Sequence, residues 1–409
     1  MHHFFKDSKF IPKSVPILFA QVFYKLVSII ILFFITRKFS PFEIGIYLFA
    51  FSFSELFLTI IEFGFPNFLI REVSKNTAKT SEYLGIVLGL SLILSFSCMT
   101  LIGAIAFIFY KRALMMTLLI TISLIINQIA QNFSSVFYAH KRIKYALFSG
   151  ITSKILLLIL FFFFIKLNID LIHLAIVHIL SAICFFMISL SLERTKITRF
   201  NIVWDKTVWI RIFKLCVPFF IMAVSSKIYF KIDTIMITTI RGFAETAFYE
   251  SPFRILGAAM FIPLSFTPVV YPLLSKLSVD KEAFKVEHKK VSNQITLLSC
   301  LFMLFLFIFS KPIVELLFGD EFYISWKVLS VLSISLPFLF NRTIDTVALF
   351  SLRRERQAVY FMMFGIAFKI TLNGILIPHY GFLAAAVTTV ITEIILFIFF
   401  KLSLFKYHR

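Results

Sequence analysis

Seven basic side chains stand inside long apolar runs of this 409-residue sequence: Lys25, Lys154, Lys227, Lys231, Arg254, Arg342 and Lys369. An eighth, Arg71, closes such a run, and six carboxylates share these surroundings: Glu55, Glu62, Asp233, Glu250, Asp345 and Glu393. A charge near the centre of a bilayer costs about 2.5–3.5 kcal/mol on insertion scales, so each one faces an opposite charge or a wet cavity. The excess is cationic, which suits an anionic cargo. The carboxylates read first as counter-ions. Where burial brings a carboxyl into the physiological range, however, it can bind a proton, and a carboxylate can also hold sodium, so that transport is coupled to an ion gradient. Glu55 and Glu62, seven apart on one helix face, are the stronger candidates for that role.

Depth sharpens the cationic reading. At 1.5 Å of rise per residue, Lys25, Lys154, Lys227 and Lys369 each sit roughly 14–18 Å from the N-terminal-side end of their helix, close to the midplane, and could form a ring. Lys227 and Lys231 are four apart and share a face. Arg254 lies one turn from Glu250, and Arg342 lies close to Asp345, so each could equally be a structural ion pair. Asn127, Gln128, Gln131 and Asn132 make two i, i+4 amide pairs that could bond sugar hydroxyls or bind helices together. His173 and His178 are phased for packing and not for a metal. Cys98, Cys184, Cys216 and Cys300 show neither metal spacing nor a disulfide framework. With no Ser/His/Asp set and no phosphate-cradling glycine loop, the chain reads as a transporter that needs no cofactor, not as an enzyme.

Elements that could hold these charges follow from composition. Hydrophobic residues make up 60% of the chain, charged ones only 15%, and 56 residues are Phe. No water-soluble fold hides that much apolar surface. A membrane helix needs about 20 apolar residues, and the runs predict twelve spans near 14–36, 42–68, 83–109, 113–138, 145–165, 171–192, 213–240, 246–274, 292–310, 326–350, 357–377 and 382–402. With Lys214, Lys327 and Lys401 at the span ends counted in the adjoining loops, 26 of the 41 Lys and Arg residues fall on the side holding the N-terminus and eight on the other. By the positive-inside rule both termini are cytoplasmic. The net charge of +20 is therefore topology and not a nucleic-acid footprint. The N-terminal tail, with Lys6, Lys9 and Lys13 and no small-residue cleavage site, reads as leading into a retained first helix.

A weak internal repeat divides the chain. VPILFAQVFYK from Val15 lines up with VPFFIMAVSSK from Val217, superposing Lys25 on Lys227, and a second register matches Lys154 with Lys369. Six crossings separate equivalent positions, so the expected architecture is all-α and membrane-integral, with six-helix lobes at 1–200 and 201–409. A pseudo-two-fold along the membrane normal would relate the lobes about a central cavity. Pro16, Pro218, Pro263, Pro268 and Pro272 would kink the helices that line it.

Several stretches resemble a known family. They are RKFSPFEIGIYLFAFSFSELFLTIIEFGFPNFLIREVSK at 37–75, KIDTIMI at 231–237, FYESPFRILGAAMFIPLSFTPVVYPLLSKL at 248–277, LFGDEFYISWKVLSVLS at 317–333 and IPHYGFLAAAVTTVITE at 377–393. In this order and spacing they resemble the polysaccharide biosynthesis and Wzx-type flippases of the multidrug/oligosaccharidyl-lipid/polysaccharide (MOP) exporter superfamily. That resemblance implies a MATE-like bundle in the bacterial inner membrane that moves undecaprenyl-pyrophosphate-linked oligosaccharide repeat units, of O-antigen or a related surface polysaccharide, to the periplasmic leaflet. It also implies a cationic lumen, to which Lys25, Arg71, Lys154, Lys227, Lys231, Arg254, Arg342 and Lys369 correspond. A polysaccharide polymerase and a chain-length regulator would work alongside, and membrane lipids would surround the protein. A MATE-type multidrug or cation antiporter is an alternative that a basic cavity disfavours by repelling cations. A membrane-embedded glycan polymerase or ligase is another, which the short outer loops disfavour.

Overall fold

The computed structural model describes residues 11–167, 170–202 and 206–408, and every regular element among them is helical. Lys6 and Lys9 of the basic N-terminal tail lie outside the described residues. In a medium without water every backbone N–H and C=O must be satisfied within its own segment, which is what a continuous helix does.

Each expected span corresponds to a helix or a broken pair. The helices are α1 (Ile11–Ile35), α2 (Pro41–Glu62), α3 (Phe65–Lys75), α4 (Thr80–Phe109), α5 (Leu114–Ala139), α6 (Ile143–Lys166), α7 (Ile172–Lys196) and α8 (Lys206–Arg241). They continue as α9 (Phe243–Ala259), α10 (Phe261–Leu277), α11 (Lys281–Ile308), α12 (Ser310–Phe318), α13 (Ser325–Ser333), α14 (Leu336–Ser351), α15 (Glu355–Tyr380) and α16 (Phe382–His408). Nine spans among the described residues are long and apolar enough to cross a membrane, and eleven when α8 and the α13–α14 pair count as one bent span apiece. The apolar helix α1 supplies the twelfth.

Some boundaries differ from the sequence expectation, each for a local reason. The second span does not run unbroken to residue 68. Phe63 and Gly64 take positive φ values of 38° and 75°, and Pro66 restarts the chain as the amphipathic α3. A side chain on Gly64 would put its Cβ 2.6 Å from the Cβ of Phe219, so only glycine satisfies both conformation and packing there. The tenth span is α13 and α14, bent by 47° around Ile334–Ser335. The ninth begins eleven residues before the predicted 292, because Asp280 caps the Ala283 amide at 3.0 Å and starts α11 at Lys281.

The chain forms two compact units, one of Met1–Ile31 with Phe49–Lys227 and one of Leu32–Leu48 with Ile228–Arg409. In the first, small residues let helices approach. Gly85 and Gly89 of α4 are buried, and Ser181 of α7 donates to the Ser153 carbonyl of α6 at 2.8 Å. Apolar side chains such as Phe96, Phe107 and Ile108 of α4 and Ile159 and Phe163 of α6 stay exposed, as lipid-facing positions should. In the second unit the Glu245 carboxylate accepts the Phe382 amide at the start of α16 and the Arg241 Nε, tying two helix ends together.

Candidate functional site

In the first unit α1, α5, α6 and α7 enclose a cavity of about 350 Å³. Its wall includes Gln21 and Tyr24 of α1, Asn127, Gln131 and Tyr138 of α5, and Lys154 of α6. The close approach of α1 to α6 rests on Gly150, where a Cβ would fall 2.1 Å from the Tyr24 hydroxyl oxygen. Among the described residues no carboxylate bonds Lys154. Its ammonium therefore stands beside amides and phenols, donors and acceptors that suit sugar hydroxyls, while the cation itself suits an anion. The four amides of α5 divide their work. Asn127 and Gln131 line the cavity, whereas Asn132 turns away and donates to Ser91 of α4 at 3.3 Å.

The other first-unit candidates have separate surroundings. Lys25 is exposed on α1, next to the cavity-wall Tyr24. Arg71 donates to Glu72 at 2.7 Å and lies over the Phe219 ring. Glu55 and Glu62 are half-buried, and Glu62 is within electrostatic reach of Lys227.

In the second unit the cations meet carboxylates. Lys369 is fully buried on α15 and its Nζ lies 2.6 Å from Asp233 Oδ2 on α8. Asp233 also receives the Tyr249 hydroxyl at 2.7 Å, Thr389 Oγ1 at 3.1 Å and, on its other oxygen, Asn373 Nδ2 at 2.7 Å. Lys369 Nζ further donates to the Tyr229 carbonyl and sits 4.7 Å above the Tyr229 ring. A second knot lies alongside, where Arg342 grips Glu393 with Nε at 2.8 Å and Nη2 at 3.1 Å, and Tyr229 donates to the same carboxylate at 2.7 Å. Lys231 pairs with Glu250 at 3.3 Å, and Thr234 donates to Glu250 as well. Asp345 is held not by Arg342 but by His288 at 2.8 Å and Lys401 at 3.0 Å. Arg254 acts electrostatically on Tyr47.

The eight cations therefore do not share one environment. Lys154 lines a cavity, whereas Lys231, Arg342 and Lys369 are met by carboxylates within their own unit. Two of the pairs are specific in a way spacing did not disclose, because Lys369–Asp233 and Arg342–Glu393 join helices that are not neighbours in the chain, whereas Lys231–Glu250 joins the consecutive α8 and α9. Sequence reasoning also passed over Tyr24, Tyr229, Tyr249, Asn373 and Thr389. Asn373 had a visible signal, since it stands one turn beyond Lys369 on the same face.

Comparison with known proteins agrees with this description. The profile of the polysaccharide biosynthesis protein family matches residues 13–278, and the chain belongs to that family. An uncharacterized membrane protein of Methanocaldococcus jannaschii is 27% identical over 188 residues, a stretch that covers 46% of this chain and 44% of that relative. The chain thus spans less than half the length of the curated relative it matches. Among solved structures, lipid II flippase MurJ in an inward closed conformation superposes with a TM-score of 0.77 at 16% identity, over 97% of this chain and 89% of that one. An inward-facing multidrug resistance MATE family transporter of the MOP superfamily gives 0.76 at 14% identity, over 93% and 94%. A MOP superfamily transporter from Pyrococcus furiosus gives 0.64 at 14% identity, over 98% and 96%. This is a multi-pass membrane protein with the fold of MOP-superfamily transporters and flippases.

Proposed function

We propose that this protein is a flippase for polyprenyl-pyrophosphate-linked oligosaccharides, moving repeat units of O-antigen or a related surface glycan from the cytoplasmic to the periplasmic leaflet of the bacterial inner membrane. The observation that carries the reading is Lys154, a cation without a carboxylate partner among the described residues, set in a cavity whose polar wall is made by amides, phenols and serines beside apolar Ala20, Leu147 and Phe185. A pyrophosphate must exchange its water and counter-ions for such a charge, and the sugars beside it for such hydrogen-bonding groups. An organic cation would meet repulsion at the same place. Membership of the polysaccharide biosynthesis family supports the glycan, and the shared fold of a lipid II flippase supports a lipid-linked form of it. Lys25 and Lys227 extend the same basic path in this reading, with both termini cytoplasmic. Alternating access is driven by an ion gradient, with Glu55 and Glu62 as the stronger coupling candidates. A polymerase and a chain-length regulator would receive the flipped unit.

The test is leaflet exchange in proteoliposomes. A fluorescent undecaprenyl-pyrophosphate oligosaccharide should reach the opposite leaflet with wild-type protein and at least tenfold more slowly with Lys154→Ala. Exchange by wild type that Lys154→Ala leaves intact would detach the cavity from the cargo. Exchange by neither protein, under imposed proton and sodium gradients and with several glycans, would remove the flippase reading.

A further inference from the structure

Glu193 is the one carboxylate in the described residues whose side-chain oxygens are both buried without any hydrogen-bond partner. It belongs to the buried stripe of α7 formed by Phe185, Ser189 and Glu193, spaced by one turn each. Phe185 is part of the cavity wall that holds Lys154. Ser189 is fully buried and its hydroxyl is also unpartnered, as is that of Ser134 on the cavity wall contributed by α5. Glu193 stands about 12 Å along the helix axis from Phe185, at the end of α7 that leads into the basic connection.

Its surroundings are apolar. Leu190, Leu192 and Ile197 on either side of it pack against the cluster of Phe133, Val136 and Phe137. The elements packed against α7 are α5 and α6, and at this end they present Tyr138, His140, Lys141, Arg142, Lys144 and Tyr145, while α7 itself carries Arg194 and Lys196. Each side-chain contact found among these groups goes elsewhere. Arg142 donates to the Lys196 carbonyl at 2.7 Å, His140 bonds Thr80 at 2.9 Å, and Arg194 lies over the Phe200 ring. A carboxyl group enclosed without a partner is favoured in its protonated form, since burial without a compensating bond penalises the charged form far more than the neutral one.

We propose that Glu193 is a proton-binding site of the transport cycle: it holds a proton while the end of α7 is packed as it is here, and releases it when that end opens to water. This deepens the flippase reading and rests on it for the word transport, but the proton site itself is testable without any cargo. A single group that is neutral in the packed state and ionised in the open one shifts the balance between them by about tenfold per pH unit once the open form is ionised.

Hydrogen–deuterium exchange of residues 186–202 measures that balance. Comparing wild type with Glu193→Gln at each pH cancels the chemical pH dependence of exchange. The expected result is a wild-type to variant ratio that climbs with rising pH, by up to about tenfold per unit, across roughly pH 5 to 9. Glu193→Asp should keep the climb, and infrared spectra of wild type minus Glu193→Gln should show a carboxylic-acid band that titrates away over the same range. A flat ratio, or a difference band of carboxylate type at every pH, would overturn the proposal. Because neither readout involves cargo, a positive result alongside absent lipid exchange would retain the proton site and discard the flippase. Should Glu193→Gln fail to fold, Glu193→Asp and wild type alone still report whether the segment opens with pH.

Discussion

Replacing Lys369 with Met tests whether the buried pair with Asp233 is a structural bond whose two ends must be removed together. The substitution keeps length and hydrophobic bulk but leaves the Asp233 carboxylate without its counter-charge in a fully buried site. Breaking a buried ion pair from one side typically costs about 3–5 kcal/mol, because the remaining charge stays desolvated. Here Tyr249, Thr389 and Asn373 still donate to that carboxylate. Hydrogen bonds to charged groups are each worth about 1.5–3 kcal/mol, so the expected loss lies at the lower end, near 3 kcal/mol. Asp233→Asn alone orphans the ammonium, which keeps only the Tyr229 carbonyl and ring, and should cost as much or more. The double variant removes both charges and should return to within about 1 kcal/mol of wild type. Thermal unfolding in nanodiscs, followed by tryptophan fluorescence across the four proteins, gives the coupling directly. Additive losses, or a Lys369→Met protein as stable as wild type, would refute the reasoning.

Three further outcomes follow from the same structure. Lys154→Gln should leave thermal stability within about 0.5 kcal/mol of wild type, since no ion pair is lost, while cutting binding of inorganic pyrophosphate measured by calorimetry. Gly64→Ala must bear a left-handed backbone and a Cβ pressed against Phe219, so it should lower stability by about 1–3 kcal/mol in the same unfolding assay. His140 titrates below its ordinary value of 6.5, because burial and then the Arg142 charge disfavour its protonated form. The unfolded chain therefore binds the extra proton, so stability is present above about pH 6.5 and falls as acid reaches the lowered folded value; His140→Gln should flatten that acid limb.

Much of the architecture was legible because length and hydropathy alone specify a membrane helix. All twelve predicted spans found their helix, and Asp280 and Gly64 explain where the edges moved. The repeat placed Lys154 and Lys369 in register, but the pattern could not say that one would find a carboxylate and the other would not. That outcome depends on which helices touch: Asp233 on α8 reaches Lys369 on α15, and Glu393 on α16 reaches Arg342 on α14. Depth in the bilayer is a one-dimensional property read along the chain, whereas partnership is a three-dimensional one. Glu193 went unnoticed for a related reason. It adjoins six basic residues between 193 and 214 and so reads as interfacial, yet the helix phase turns it inward.

The unequal treatment of these two lysines has an electrical consequence. Charges that cancel inside a unit move through the membrane field at no net work, whereas an uncancelled one exchanges about 2.3 kcal/mol for each full crossing of 100 mV. For a doubly charged pyrophosphate cargo, Lys154, the one charged side chain in the cavity wall, leaves the occupied cavity negative and the empty one positive. A cytoplasm-negative potential then favours the outward stroke of the first and the inward return of the second. The resting voltage of the cell would assist both halves of the cycle, in proportion to the fraction of the field that the compartment traverses.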